Sequence, residues 1–189
     1  MLARKIVAAD TLERREVKRA APLGVTTGGV FEGYASLFGV VDLGGDEVMP
    51  GAFRNSLARR GAGAVRMLWQ HDPMAPIGAW LSIAEDARGL RVKGRLNLEV
   101  ARAREALALL REGAVDGLSI GFRVTKSRKS RADGVRRLIE LDLWEVSLVT
   151  FPMLPQARVS SIKRDAALLA AQACARPADL YRRAAALLK

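Results

Sequence analysis

Apolar and polar residues alternate with period two along much of this chain, the pattern of strands that bury one face. Residues 30–38 read this way, with Phe31, Tyr34 and Phe38 as aromatic anchors, and residues 90–96 alternate cleanly. Strands are also predicted over 65–70, 76–85, 118–125 and 135–149. Gly44-Gly45-Asp46, the Asp86–Gly89 run and Asp133-Gly134 supply turns between them. Two internal segments follow a helical pattern instead. One runs over 53–60 and stops at Gly61 and Gly63; the other runs over 99–112, with Asn97 as expected N-cap and Gly113 as terminator.

These elements predict a mainly β (α+β) fold, a compact β domain of about six to seven strands with two inserted helices. Three segments divide the chain: a basic arm (1–29) with a helical turn near Thr11–Lys18, a β-rich core (30–160), and an Ala/Leu-rich helical tail (161–189) broken at Pro177.

Composition narrows the class. The chain has 189 residues, half of them apolar, which is enough for a single core. No apolar run reaches the ~18 residues of a membrane span, and the N-terminus is a poor signal peptide. Cys174 is the single cysteine, which excludes an internal disulfide and fits a reducing compartment. The net charge is +11, and more than half of the excess lies in the two ends. Its densest cluster, Lys126-Ser127-Arg128-Lys129-Ser130-Arg131, reads as a hairpin tip, either plainly solvated or a contact site for an acidic partner. Walker, CxxC and HExxH motifs are lacking, so phosphate-loop and zinc-peptidase chemistry has no support and no cofactor is expected.

His71 is the single histidine, so any imidazole proton transfer must use it. Ser119 lies in Gly117-Leu118-Ser119-Ile120-Gly121-Phe122, on the small polar face of its strand, with glycines on either side leaving room for a carbonyl to approach. It is read as a strand serine, not an α/β-hydrolase nucleophile. Glu145 lies in an apolar strand run, where a carboxylate costs several kcal/mol unless paired. A histidine that turns cationic during a reaction would suit it, and so would an arginine. Asp72 adjoins His71, but neighbours in extended chain point to opposite faces. Asp116 competes for the acid role, and Asp42 with Asp46 make too thin a set for a cation. Each residue singly also fits an ordinary structural role.

Taken together and in order, Phe31-Glu-Gly-Tyr-Ala, Gly51-Ala-Phe, Gln70-His-Asp, Gly117-Leu-Ser-Ile-Gly-Phe and Trp144-Glu-Val-Ser-Leu-Val resemble the prohead maturation proteases of tailed bacteriophages. Those are distantly similar to the herpesvirus capsid-assembly proteases. The resemblance covers residues 30–160. It implies a β-barrel serine endopeptidase with Ser119 as nucleophile and His71 as base. The third member maps to Glu145, where the herpesvirus relatives have a second histidine. An arginine-associated oxyanion turn would fall near 152–158, with Arg158 a weak candidate.

The implied substrates are the major capsid protein and its scaffolding segment or scaffolding protein. The implied place is the host cytoplasm, inside the immature capsid, and the resemblance also implies self-cleavage of the ends. A homo-oligomer is expected, with no membrane and at most non-specific contact with nucleic acid. The rival expectations are a catalytically inactive capsid-assembly factor and a basic nucleic-acid-binding module.

Overall fold

Strands with one apolar face need a second layer to cover it, and here a single sheet supplies much of its own cover by curling. The computed structural model describes residues 28–161. In chain order these form β1 (Val30–Leu37), β2 (Asp46–Val48), α1 (Arg54–Arg60), a 3₁₀ turn (Ala62–Ala64), β3 (Arg66–Trp69), β4 (Asp72–Glu85) and β5 (Gly89–Leu96). After these come α2 (Ala101–Glu112), β6 (Gly117–Lys129), β7 (Arg136–Val149) and β8 (Val159–Ser161). The expected arm, its helical turn, the helical tail and Cys174 lie outside the described residues.

The strand order is β2-β7-β3-β4-β5-β1-β8, with β6 on the other edge of β7. Antiparallel hairpins account for β3-β4, β4-β5 and β6-β7. The two parallel contacts, β2-β7 and β3-β7, join strands far apart in sequence. Residues 157–159 then bridge β1 to the start of β6. Tyr34 N–H donates to the Arg158 carbonyl at 3.2 Å, and Leu118 N–H to the Ala157 carbonyl at 2.9 Å. The result is a curled half-barrel of eight strands, more than the six or seven expected; β2 and β8 have three residues each, too short for periodicity to register.

Alternation places Phe31, Met67, Ile77, Leu90, Leu96, Leu118 and Leu148 fully inside. Phe31 meets Trp80 edge-to-face at 5.6 Å. Helix α2 buries Ala103, Ala106, Leu107 and Leu110, the i, i+3, i+4, i+7 stripe of a helix lying on a core. Each such leucine contributes about 1.5–3 kcal/mol by burial. Its expected N-cap needs correction. Val100, not Asn97, holds that position, and the Asn97 side chain accepts the Glu99 N–H one turn earlier. Gly113 ends the helix in the left-handed conformation as expected (φ 71°).

Helix α1 is tied to β7 through Asp142. Arg60 donates to both carboxylate oxygens, at 2.9 and 2.8 Å, and Trp144 Nε1 donates at 2.9 Å. These contacts, Arg60 first, hold the Asp142 carboxyl well below the usual range. β7 is thereby fixed on both edges and by a helix, and it runs beneath the candidate site.

Candidate active site

Strands β3 and β4 are joined by two residues, Gln70 and His71, with Trp69 paired to Asp72. Both linking residues have positive φ, 53° and 62°. That combination marks a type I′ hairpin turn, normally built from Asn and Gly because a Cβ is strained there. The strand-neighbour argument about His71 and Asp72 therefore does not apply, since His71 is in a turn and not in extended chain. The turn survives because β7 holds it. Gln70 N–H donates to the Leu148 carbonyl at 2.9 Å, and its side-chain amide donates to Thr150 Oγ1 at 2.8 Å. His71 N–H donates to Ser147 Oγ at 3.1 Å.

On the other edge of β7, Ser119 of β6 pairs with Ser147 and Gly121 pairs with Glu145. Paired residues share a face, as do residues two apart. Ser119, Gly121, Glu145 and Ser147 therefore form one patch, with paired Cα atoms about 4.5–5.5 Å apart. Gly121 has a specific part in it. A Cβ there would lie 2.0 Å from Glu145 Oε1, so the absence of a side chain gives the glutamate its path across β6. The expectation that both glycines clear space around Ser119 is thus corrected. Gly121 makes room for the acid, and Gly117 lies against Val149 and Pro152. Gly117–Gly121 also spells Gly-x-Ser-x-Gly. Ser119 lies within β6, however, and not at a strand-to-helix elbow.

The Glu145 carboxylate bridges two partners. His71 Nδ1–H donates to Oε1 at 2.6 Å, and Ser147 Oγ–H donates to Oε2 at 2.6 Å. The glutamate side chain is 12% exposed and that of His71 44%, so a shielded acid meets an accessible ring. Nδ1–H is the tautomer a carboxylate acceptor requires, leaving Nε2 unprotonated. The hydrogen bond to Glu145 raises the imidazole pKa above its ordinary 6.5, and partial burial opposes the shift.

His71 and Ser119 both line a cavity of about 330 Å³. Ala35, Val48, Leu118, Ile120, Phe122, Leu138 and Leu154 supply apolar wall, with Asp42, Asp46 and Arg136 at its polar part. The competing acids are otherwise engaged. Asp72 accepts the Met74 N–H, and Asp116 is paired with Arg158. Asp46 takes a bidentate contact from Arg136, while Asp42 accepts the N–H groups of Gly44 and Asp46. Arg158, the oxyanion candidate, also donates to the Pro155 carbonyl and does not line the cavity. Among the described residues no group of three or more His, Cys, Asp or Glu is placed to hold a metal.

Sequence reading missed Ser147 and the turn. Ser147 was detectable as the residue two beyond Glu145 on the same face. Positive φ at Gln70 and His71 leaves little compositional signal, because Gln does not favour it and His, though enriched there, still adopts it only rarely.

The model of one protein family, described as caudovirus prohead serine protease, matches residues 12–171. The prohead protease of Enterobacteria phage HK97 is 39% identical over 137 residues, which cover 71% of this chain and 60% of that protein. The capsid polyprotein of Pseudomonas phage PAJU2 is 29% identical over 105 residues, covering 52% of this chain and 16% of that protein. The chain thus spans less than two thirds of the curated relatives it matches. Among solved structures, varicella-zoster virus protease aligns with 16% identity and TM-score 0.44 over 69% of this chain and 62% of that one. The bacteriophage T4 capsid assembly protease aligns with 14% identity and TM-score 0.48 over 64% of this chain and 82% of that one.

Proposed function

Because the chain belongs to the caudovirus prohead serine protease family, we propose that it is a serine endopeptidase in which Ser119 is the nucleophile, His71 the general base and Glu145 the orienting acid. The observation that carries this reading is the His71–Glu145 hydrogen bond beside a cavity that Ser119 shares. With Nδ1 committed to the carboxylate, Nε2 is the nitrogen available to take a proton. Ser119 Oγ attacks the peptide carbonyl, forming the C–O bond as His71 accepts the hydroxyl proton. Collapse of the tetrahedral adduct breaks the C–N bond, and His71 returns that proton to the leaving amine. Water then repeats the sequence on the acyl-enzyme. Glu145 keeps its negative charge throughout and stabilises the imidazolium.

The proposed substrates are the major capsid protein and its scaffolding segment, cut inside the immature capsid in the host cell. The family and the relative named a capsid polyprotein support this assignment. Ser119→Ala is expected to fold, to lower cleavage of the cognate capsid protein by ~10⁴-fold or more, and to lose labelling by a fluorophosphonate. Mapping of new termini by mass spectrometry reads the first, and in-gel labelling the second. Wild-type processing by Ser119→Ala would sink the assignment.

A further inference from the structure

Ser147 lies fully buried in β7, and no step of the proposed chemistry uses it. A buried hydroxyl is costly unless its hydrogen bonds are made. This one donates to Glu145 Oε2 at 2.6 Å and accepts the His71 main-chain N–H at 3.1 Å. One oxygen atom thus touches both the acid's side chain and the base's backbone. Among the described contacts that clamp the left-handed turn, those of Gln70 reach Leu148 and Thr150 and do not touch Glu145.

From this geometry we infer that Ser147 is a positioning residue that fixes acid and base relative to each other. Its O–H sets the rotation of the Glu145 carboxylate so that Oε1 faces Nδ1. Its lone pair holds the turn that presents the ring to that oxygen. Its place opposite Ser119 in the register puts both functions on the strand next to the nucleophile. The inference rests on the reading of His71 as base and Glu145 as acid.

The single histidine makes the test direct. Histidine-selective ¹⁵N labelling of the full chain yields one imidazole, whose titration and tautomer are read by NMR without any substrate. Glu145 is the ionisable group that acts on this ring, while Asp42, Asp46 and Arg136 line the same cavity. In Ser147→Ala the imidazole pKa is expected to fall toward 6.5 and the Nδ1–H tautomer to lose its dominance. kcat should drop by ~10²-fold with KM little changed, the penalty of a misplaced catalytic group. Ser147→Cys leaves no cavity but donates weakly, and should behave like Ser147→Ala; it also supplies the measurement should Ser147→Ala not fold. Ser147→Thr keeps the hydroxyl and should restore the titration.

A folded Ser147→Ala or Ser147→Cys with unchanged titration and kcat would overturn the inference. So would a kcat loss with the titration unmoved, which a merely structural role predicts. If the imidazole shifts as expected while the wild-type protein cleaves nothing, the positioning stands and the peptidase reading fails.

Discussion

On the proposed chemistry, the His71–Glu145 hydrogen bond should make activity and stability respond to pH in opposite directions. As the proposed base, His71 must be neutral to act, so kcat/KM should rise with pH through a His71 pKa lying above 6.5. The hydrogen bond that raises this pKa favours the protonated ring. Its contribution to stability is therefore full below the unfolded value of about 6.5 and is lost as pH climbs through the folded pKa. Glu145→Gln should remove both effects, moving the activity limb to lower pH and reducing kcat by ~10²–10⁴-fold. Asp72→Asn should leave the limb in place, because Asp72 caps a backbone N–H. Rate profiles and thermal melts across pH 5–9 compare the two variants. Gly121→Ala is expected to push Glu145 off His71. The overpacking should destabilise the fold by about 1–3 kcal/mol, while activity falls ~10²-fold or more. In the sequence His71 stood out as the single histidine, Ser119 as a serine on the small polar face of its strand, and Glu145 as a carboxylate in an apolar run. Gly121 was legible only as a small residue, because its use depends on which side chain crosses it.

Among the elements, β7 does the most. Its first half pairs with β2, its second half lies parallel to β3, and its whole length pairs with β6. Asp142 secures it to α1 with a carboxyl held well below the ordinary range. That contribution is present above the unfolded carboxylate pKa of about 3.9 and vanishes as pH falls through the folded value. Asp142→Ala should therefore lower Tm by several degrees at neutral pH and flatten the acid side of the stability profile, as calorimetry across pH 2–7 would show. An unchanged acid limb would place the stability elsewhere. The β4-β5 and β6-β7 hairpins and α2 could be read from alternation and turn or end signals, since those are local, whereas the β3-β4 turn could not. The parallel β3-β7 contact could not, because no local pattern records which distant strand lies alongside.

On the scale of the whole molecule, charge is distributed unevenly. The carboxylates of the core are engaged at α1, at the cavity and under the bridging segment, whereas the β6-β7 tip exposes Lys126, Arg128, Lys129 and Arg131. The alternating strands made a mainly β architecture legible in advance. Its closure was not, since it depends on residues 157–159 reaching back to both β1 and β6. Order of assembly is a further outcome of the connectivity. His71 precedes Glu145 by 74 positions, and the turn that bears it is held in its left-handed form by the last long strand of the domain. Contacts that span so much chain form late, because the loop must close before any of them is made. A polypeptide still emerging from the ribosome, or only partly folded, therefore lacks the His71–Glu145 hydrogen bond on which the proposed chemistry rests. On the proposed assignment, latency during synthesis follows from the strand order itself, with cutting expected only once β7 is in place.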